Sequence, residues 1–345
     1  MKWIVPYHPL SSLLRRCWEL HSGIYVRFLT CVHTAFTKPI FPLAPTVGWL
    51  VAARFIDRIG KGIRGAPRDA LVADLSPAHL RGASFGLRQS LDTVGAFAGP
   101  LLAIGLMWLT VNNFTVVFWV AVIPAFLSLA LILFAVHEPE RPAGLRKVRN
   151  PISQTELRQL SPAFWWVATV ATAFTLARFS EAFLILKAQA VGLPIVLVPA
   201  VLVVMNVVYA AAAYPAGALS DRVDRRTVLA AGMAVLIAAD LVLAMRRGIP
   251  GVALGVMIWG LHMGLTQGLL ATLVADTAAP ELRGTAFGVF NLLCGVAALL
   301  ASVIAGLLWD ITGPQGTFLG GATCALLALA GLLAVRERLP ANGGA

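Results

Sequence analysis

Long apolar blocks follow one another along this chain, with few charged residues between them. The clearest stretch, Leu101–Val136, contains no charged residue and is divided only near the polar pair Asn112 and Asn113. A helix needs about 20 residues to cross the apolar part of a bilayer, so this stretch is long enough for two passes. Helices hydrogen-bond all their own backbone groups, which lipid cannot do. The pattern therefore predicts an all-α membrane protein.

The composition and the charge distribution agree with this class. Hydrophobic residues make up 59% of the chain and charged residues 12%, whereas about 25% is usual for charged residues in soluble domains. The net charge is +11, but the basic residues fall in alternate gaps between apolar blocks, as in cytoplasmic loops. Apolar spans would break up a nucleic-acid-binding surface. We expect a multi-pass protein of a bacterial inner membrane that binds no nucleic acid.

The sequence indicates neither an enzyme nor a bound cofactor. The four cysteines lack paired spacing, so neither a disulfide framework nor a metal site is predicted. There is no Ser-His-Asp set and no phosphate-binding loop of the type G-x-x-x-x-G-K. The segment Gly60–Gly65 matches G-x-G-x-x-G, but it lies in an apolar block without the alternating strands and helices that a dinucleotide site needs.

Ten apolar blocks bounded by polar residues are predicted to be membrane helices. They cover residues 24–45, 46–72, 83–108, 113–136, 162–186, 195–218, 226–245, 251–275, 284–308 and 317–335.

One segment occurs twice. Leu71–Gly86 matches Leu273–Gly288 at nine of sixteen positions, and Asp74 corresponds to Asp276 at an offset of 202 residues. Similarity between two apolar helices would not keep Asp, Arg and Gly in register. The chain is therefore expected to contain two homologous halves of about 200 residues, as many transporters do. Residues 71–136 and 273–335 should superpose about an axis along the membrane normal.

The repeat suggests three regions. Residues 1–137 are expected to form an N-terminal bundle, residues 138–161 a cytoplasmic linker and residues 162–345 a six-helix C-terminal bundle, with the C-terminus in the cytoplasm. At the same offset, nothing in residues 15–27 resembles residues 217–229. The N-terminal bundle is therefore predicted to be truncated or scrambled before about residue 38.

Two motifs resemble those of a known family. Gly217-Ala-Leu-Ser-Asp221-Arg222-Val-Asp-Arg225-Arg226 resembles the loop motif G-x-x-x-D-R-x-x-R-R of the major facilitator superfamily. Gly95-Ala-Phe-Ala-Gly99-Pro100 resembles the G-x-x-x-G-P motif in the fifth helix of its antiporters, although the glycine pair that follows in the family is absent here. The resemblance covers residues 38–335.

The resemblance implies a fold and a mechanism. It implies two pseudo-symmetric six-helix bundles around a central cavity with alternating access, and the ten spans would then be helices three to twelve of twelve. Asp221 is predicted to lie at the N-terminal end of the helix that begins near Arg81. The alternative for these charges is plain positive-inside topology. The residues expected to act in gating loops are Asp74, Arg81, Asp221, Arg222, Arg225, Arg226, Asp276 and Arg283.

Charged residues inside apolar blocks predict the transport site, since charges in lipid are costly and normally face a cavity. Arg54, Asp57, Arg58 and Lys61 share one face of a helix, and this face is either a cationic cavity wall or an ion-paired packing face. Arg178 and Glu181 lie three residues apart and are either a proton-coupling pair or a static ion pair. The polar residues Asn206, Tyr209, His262 and Gln267 complete the predicted cavity.

The expected function is secondary active transport of a small solute by alternating access. We expect proton coupling, and export of an anionic or amphipathic compound, by a monomer whose partners are the lipid bilayer, the substrate and protons. A second hypothesis is a truncated membrane paralogue, either a scaffold or a decayed product, that does not transport. A membrane-embedded enzyme is the third, and it lacks catalytic residues in the sequence.

Overall fold

The computed structural model describes residues 43, 46, 48–49, 65–110, 113–135, 154–194 and 197–334. All of the regular structure in these ranges is helical. The helices are α1 (residues 65–75), α2 (Arg81–Leu109), α3 (Phe114–Ala135), α4 (Gln154–Gln159), α5 (Pro162–Ala177), α6 (Ala182–Ala190), α7 (Val198–Ser220), α8 (Arg225–Met245), α9 (Gly248–Thr277) and α10 (Arg283–Ala334).

The chain divides into two compact units. Met1–Arg68 and Ala103–Leu145 form one, and Asp69–Leu102 and Arg146–Ala345 form the other. Helix α3 belongs to the first unit, and helices α4 to α10 belong to the second. The start of α2, which is part of the first sequence repeat, is also in the second unit.

Among the described residues, six helical runs are long and apolar enough to cross a membrane. Their lengths agree with the sequence prediction, since each holds the roughly 20 residues that a bilayer requires. They cover Ala78–Leu109, Pro162–Ala190, Ala200–Ser220, Arg225–Met245, Gly248–Thr277 and Pro280–Leu333.

The sequence repeat is also a repeat of local structure. A single 3-10 turn, Ala78–Leu80, leads into α2, and the equivalent turn Pro280–Leu282 leads into α10. Both turns are preceded by a residue in an extended conformation, with ψ of 146° in one case and 145° in the other. The two repeated segments therefore share the conformation of this turn at the offset of 202 residues.

One predicted span is not continuous. Residues 162–186 were expected to form one helix, but α5 ends at Ala177 and α6 begins at Ala182. Arg178 is extended, and the hydroxyl of Ser180 accepts a hydrogen bond of 3.3 Å from the N–H of Ala182. A serine side chain that bonds to nearby backbone competes with the helical hydrogen bonds. Arg178 and Glu181 therefore flank a break instead of sharing one helical face.

The long run of α10 contains two arms joined at Gly313. The φ of Gly313 is 71°, a left-handed conformation that glycine adopts easily, and Pro314 follows it. The hydroxyl of Thr317 in the second arm lies 3.5 Å from the carbonyl oxygen of Ala305 in the first. The arms therefore double back on each other, and they correspond to the predicted spans 284–308 and 317–335.

The core of the second unit is built around α9, which packs on α7 and α8, while α10 packs on α5 and α8. The start of α2 packs closely against the end of α7 at glycine residues. A Cβ atom at Gly86 would lie 2.5 Å from the carbonyl oxygen of Ala213, and the hydroxyl of Ser90 donates to the carbonyl of Ala210 at 2.7 Å. The two backbones are in contact because no side chain separates them.

This contact gives a matched pair of substitutions. Gly86→Ala should lower the melting temperature in detergent, because overpacking costs about 1–3 kcal/mol. Gly288→Ala, at the equivalent position of the second repeat, has no described atom within 4 Å of its new Cβ and should not lower it. Equal effects of the two substitutions in a thermal unfolding assay would contradict the close contact between α2 and α7.

Candidate functional site

The carboxylate of Asp221 is bound at the N-terminus of α2. Its Oδ1 accepts a hydrogen bond from the backbone N–H of Gly82, and its Oδ2 accepts one from Ala83, both at 2.8 Å. The first N–H groups of a helix lack partners within the helix and carry partial positive charge, so a carboxylate stabilises them. Only 6% of the Asp221 side chain is exposed. Asp221 therefore lies at the helix end where the sequence predicted it.

The two repeats exchange ion pairs. Arg81 of the first repeat pairs with Asp276 of the second at 2.9 Å, and Arg283 of the second pairs with Asp74 of the first at 2.5 Å. The repeat makes Asp74 equivalent to Asp276 and Arg81 equivalent to Arg283, so the two pairs are reciprocal. Arg81 and Arg283 consequently lie at the same end of the helices, which agrees with the prediction for the repeat.

Arg225 joins the Arg81–Asp276 pair to the helix-terminal carboxylate. Its guanidinium contacts Asp276 and lies 3.3 Å from Oδ1 of Asp221. Mostly buried charges of this kind depend on their partners, because removing one partner leaves the other charge uncompensated. We call this set the charge cluster, and it consists of Asp74, Arg81, Asp221, Arg225, Asp276 and Arg283.

The other two predicted loop arginines have different surroundings. Arg226 donates from its guanidinium to the carbonyl groups of Leu332 and Leu333 at the end of α10. Basic side chains commonly satisfy the free carbonyls of a helix C-terminus in this way. The side chain of Arg222 is exposed, and no ion pair of Arg222 occurs within the part of the chain that the structure describes.

A second polar group forms where α5, α6, α7 and α9 meet. Arg178, in the break between α5 and α6, donates to the side-chain oxygen of Gln267 on α9 when that amide is turned to face it. Arg178 also interacts electrostatically with Glu181 and with Tyr209 on α7. Four of the predicted cavity residues, Arg178, Glu181, Tyr209 and Gln267, are therefore neighbours, and we call them the Arg178 cluster.

Two other predicted cavity residues bond mainly to the backbone. Asn206 donates to the carbonyl of Leu202 within α7 at 2.8 Å. His262 is fully buried, its Nδ1 lies 3.0 Å from the carbonyl oxygen of Gly232, and its ring packs edge-on against Phe174. The His262 contact joins α9 to α8, as interhelical hydrogen bonds in membrane proteins do, whereas the Asn206 bond stays within α7.

Several predictions concern residues of which the structure says little. Arg54, Asp57, Arg58 and Lys61 lie outside the described residues, so the cavity wall on that helix stays a prediction. In the fifth-helix motif, a Cβ atom added at Gly95 or Gly99 would have no described atom within 4 Å, and helix α2 continues through Pro100. Their role likewise stays a prediction.

The sequence reasoning missed Asp240. This residue lies in the C-terminal part of α8, is 0% exposed, and neither carboxylate oxygen has a hydrogen-bond partner among the described residues. The signal was present, because an acidic residue in an apolar block met the same criterion that selected Glu181.

The Asp221 contact can be tested within its own loop. Asp221→Asn should lower the free energy of unfolding by about 1–3 kcal/mol, since an amide offers only one oxygen and leaves one helix N–H unsatisfied. Asp224 caps α8 by accepting a bond from the N–H of Arg226 at 3.4 Å. Asp224→Asn should have little effect, because Asn and Asp cap helices about equally well. Similar melting temperatures for the two variants would argue against a double contact.

Known proteins resemble the chain in sequence and in fold. It is 32% identical over 287 residues to an MFS-type transporter of Methanocaldococcus jannaschii, covering 81% of this chain and 70% of that relative. Among solved structures, the human organic anion transporter MFSD10 matches with a TM-score of 0.73 at 19% identity, covering 90% of this chain and 77% of the other. The fucose:proton symporter of E. coli matches with a TM-score of 0.71 at 14% identity, covering 91% and 84%.

The family assignment follows from the sequence match. The Major Facilitator Superfamily profile matches residues 23–294 and 183–344, which together include most of the chain. The reciprocal ion pairs, the repeated turn before α2 and α10, and the fold similarity agree with this match. The chain is a multi-pass membrane protein that belongs to the Major Facilitator Superfamily of transporters.

Proposed function

We propose that this chain is a secondary transporter that moves a small anionic or amphipathic solute by alternating access, coupled to protons. The observation that carries the proposal is the charge cluster, in which residues of the two repeats hold each other at one end of the helices. By the positive-inside rule this end faces the cytoplasm. Export from the cell is the direction that we favour.

The charge cluster gives alternating access a physical basis. A conformational equilibrium shifts when contacts exist in one state and not in the other. The Arg81–Asp276 pair requires α2 and α9 to converge at this end, and the Arg283–Asp74 pair requires α10 and α1 to do so. The two bonds to Asp221 hold the start of α2 at the end of α7. Their formation favours the state closed there, and their separation accompanies opening.

The Arg178 cluster is the proposed site for the solute. Arg178 lies in a non-helical segment, as do many substrate-binding residues of transporters, which interrupt their helices near the site. Its described neighbours include the neutral amide of Gln267, the acidic Glu181 and the phenol of Tyr209. A guanidinium has five N–H donors, so it can bind a carboxylate or phosphate group of a solute in addition. Glu181 is proposed to exchange the coupling proton.

Swapping the two charges of one ion pair tests the role of the charge cluster. Arg283→Asp should slow transport about tenfold or more, since it places two carboxylates together, and a loss of about 1.4 kcal/mol corresponds to tenfold. The double variant Asp74→Arg with Arg283→Asp should recover most of the rate. The assay is uptake of the fluorescent organic anion carboxyfluorescein into proteoliposomes under a pH gradient.

Hydrogen exchange supplies a control that needs no substrate. The amides of Gly82 and Ala83 should exchange faster in Arg283→Asp than in the wild type and recover in the double variant, because they bond to Asp221 only while the cluster is closed. A single variant with normal transport and normal exchange would contradict a gating role. Absence of carboxyfluorescein transport by the wild type would favour a non-transporting paralogue or a different solute.

Two substitutions separate the proposed roles in the Arg178 cluster. Arg178→Gln should raise KM for carboxyfluorescein tenfold or more, by removing a charge-assisted contact of about 1.5–3 kcal/mol. Glu181→Gln should still exchange carboxyfluorescein across the membrane, but a pH gradient should no longer accelerate its transport. The exposed Arg246 provides the matched control, and Arg246→Gln should change neither quantity. Full proton-driven transport by Glu181→Gln would exclude Glu181 as the coupling residue.

A further inference from the structure

Asp240 is an acidic side chain enclosed by the helices of the second unit. It lies on α8, five residues before the end of that helix at Met245, and it is 0% exposed. Oδ1 and Oδ2 both lack a hydrogen-bond partner in the described part of the chain. It belongs neither to the charge cluster nor to the Arg178 cluster. Burying an ionised carboxylate without a partner is so costly that such a group normally becomes neutral instead.

The surroundings of Asp240 are aromatic and tight. A Cβ atom at Gly321, on the second arm of α10, would lie 2.8 Å from Oδ2 of Asp240 and 2.7 Å from Cε1 of Phe179. The Phe179 ring packs 5.4 Å from Trp259 and 5.4 Å from Phe318. The carboxyl group therefore occupies space that exists only because residue 321 has no side chain, next to an aromatic cluster that excludes water.

The alignment of α8 and α9 places a second polar atom without a described hydrogen-bond partner level with Asp240. A Cβ atom at Gly255 on α9 would lie 2.6 Å from Cδ2 of Leu243 on α8, and one at Gly232 on α8 would meet Cγ2 of Thr266 on α9. The two helices therefore run antiparallel, and Asp240 lies about level with Trp259. The indole Nε1 of Trp259 is buried and has no described partner, and the same is true of Nε2 of His262 one turn further along α9. These are hydrogen-bond donors or acceptors, but none is a fixed cation.

Among the described residues, no basic side chain forms an ion pair with Asp240. The helices packed on α8 are α7, α9 and α10. Arg225 and Arg283 are committed to the charge cluster, and the only histidine on α9, His262, bonds to Gly232 through Nδ1. The other titratable groups on these four helices are Tyr209, Tyr214, Arg226, Asp276, Cys294, Asp310 and Cys324, and Asp221 directly follows α7. Arg178 and Glu181 flank Phe179, whose ring packs at the same site, and both belong to the Arg178 cluster.

We propose that Asp240 is a proton-binding site, protonated in the described conformation and able to release its proton to water only when α8 and the second arm of α10 separate. The step is a simple acid dissociation in which the O–H bond of the carboxylic acid breaks and the proton passes to water. The site is independent of Glu181. Its role in coupling rests on the proposed transport function, but its protonation does not.

Infrared difference spectroscopy of the detergent-purified protein tests protonation without any substrate. The spectrum near neutral pH should contain a carboxylic acid C=O band that shifts in heavy water and is lost in Asp240→Asn. The same amide substitution at the exposed Asp310, and Glu181→Gln, should leave the band in place. A spectrum without the band, or one that Asp240→Asn does not change, would overturn the proposal.

A second variant covers the case in which Asp240→Asn does not fold. Gly321→Ala keeps the acid but places a methyl group against Oδ2, so it should shift the C=O band in frequency, whereas Gly331→Ala, which meets no described atom within 4 Å, should not. An unshifted band in Gly321→Ala would mean that the band arises elsewhere, and would overturn the assignment.

Transport provides the separate test of coupling. In proteoliposomes loaded with carboxyfluorescein, Asp240→Asn should still exchange carboxyfluorescein across the membrane. The acceleration of transport by a pH gradient should be at least tenfold smaller than in the wild type. Unchanged acceleration would exclude a coupling role for Asp240. If the wild type moves no carboxyfluorescein, the proposed function fails for this solute, and the infrared result still decides whether Asp240 holds a proton.

Discussion

The two hydrogen bonds from the start of α2 to Asp221 depend on a close contact between backbones. Gly82 and Gly217 face each other there, and a Cβ atom on Gly82 would lie 2.6 Å from Oδ1 of Asp221. Because the glycines let α2 and α7 approach, the carboxylate reaches the helix terminus, and Arg225 reaches both Asp221 and Asp276. The reciprocal pairs around Arg81 and Arg283 are assembled on this contact. Small residues here therefore determine where the charges meet.

The reciprocal pairs also show what a duplicated sequence does physically. In each repeat a short turn leads from an Asp to a helix that starts with an Arg. Each Arg forms its ion pair with the Asp of the other repeat. Charges that occur in both halves thus serve the contact between the halves, and one substitution affects both repeats at once.

Much of this arrangement was predictable from the sequence, and the exceptions have physical causes. Hydrophobic blocks predicted the spans, and the loop motif together with the helix-dipole argument predicted the position of Asp221, because both depend on local sequence pattern. The break at Arg178 was missed, because it arises from the bonding of Ser180 to the backbone inside an otherwise apolar run. The pairing of Arg81 with Asp276 requires tertiary contact, which a pattern in one segment does not contain.

The break at Gly313 limits how far the connection between the two arms of α10 protrudes into water. The two arms of α10 run directly into each other, and the hydroxyl of Thr317 bonds to the carbonyl of Gly313 at 3.1 Å. Proteases and inserted tags require an exposed, flexible segment. A connection this short offers neither an extended cleavage site nor room for an epitope. This link is therefore a poor place to cut or label the protein.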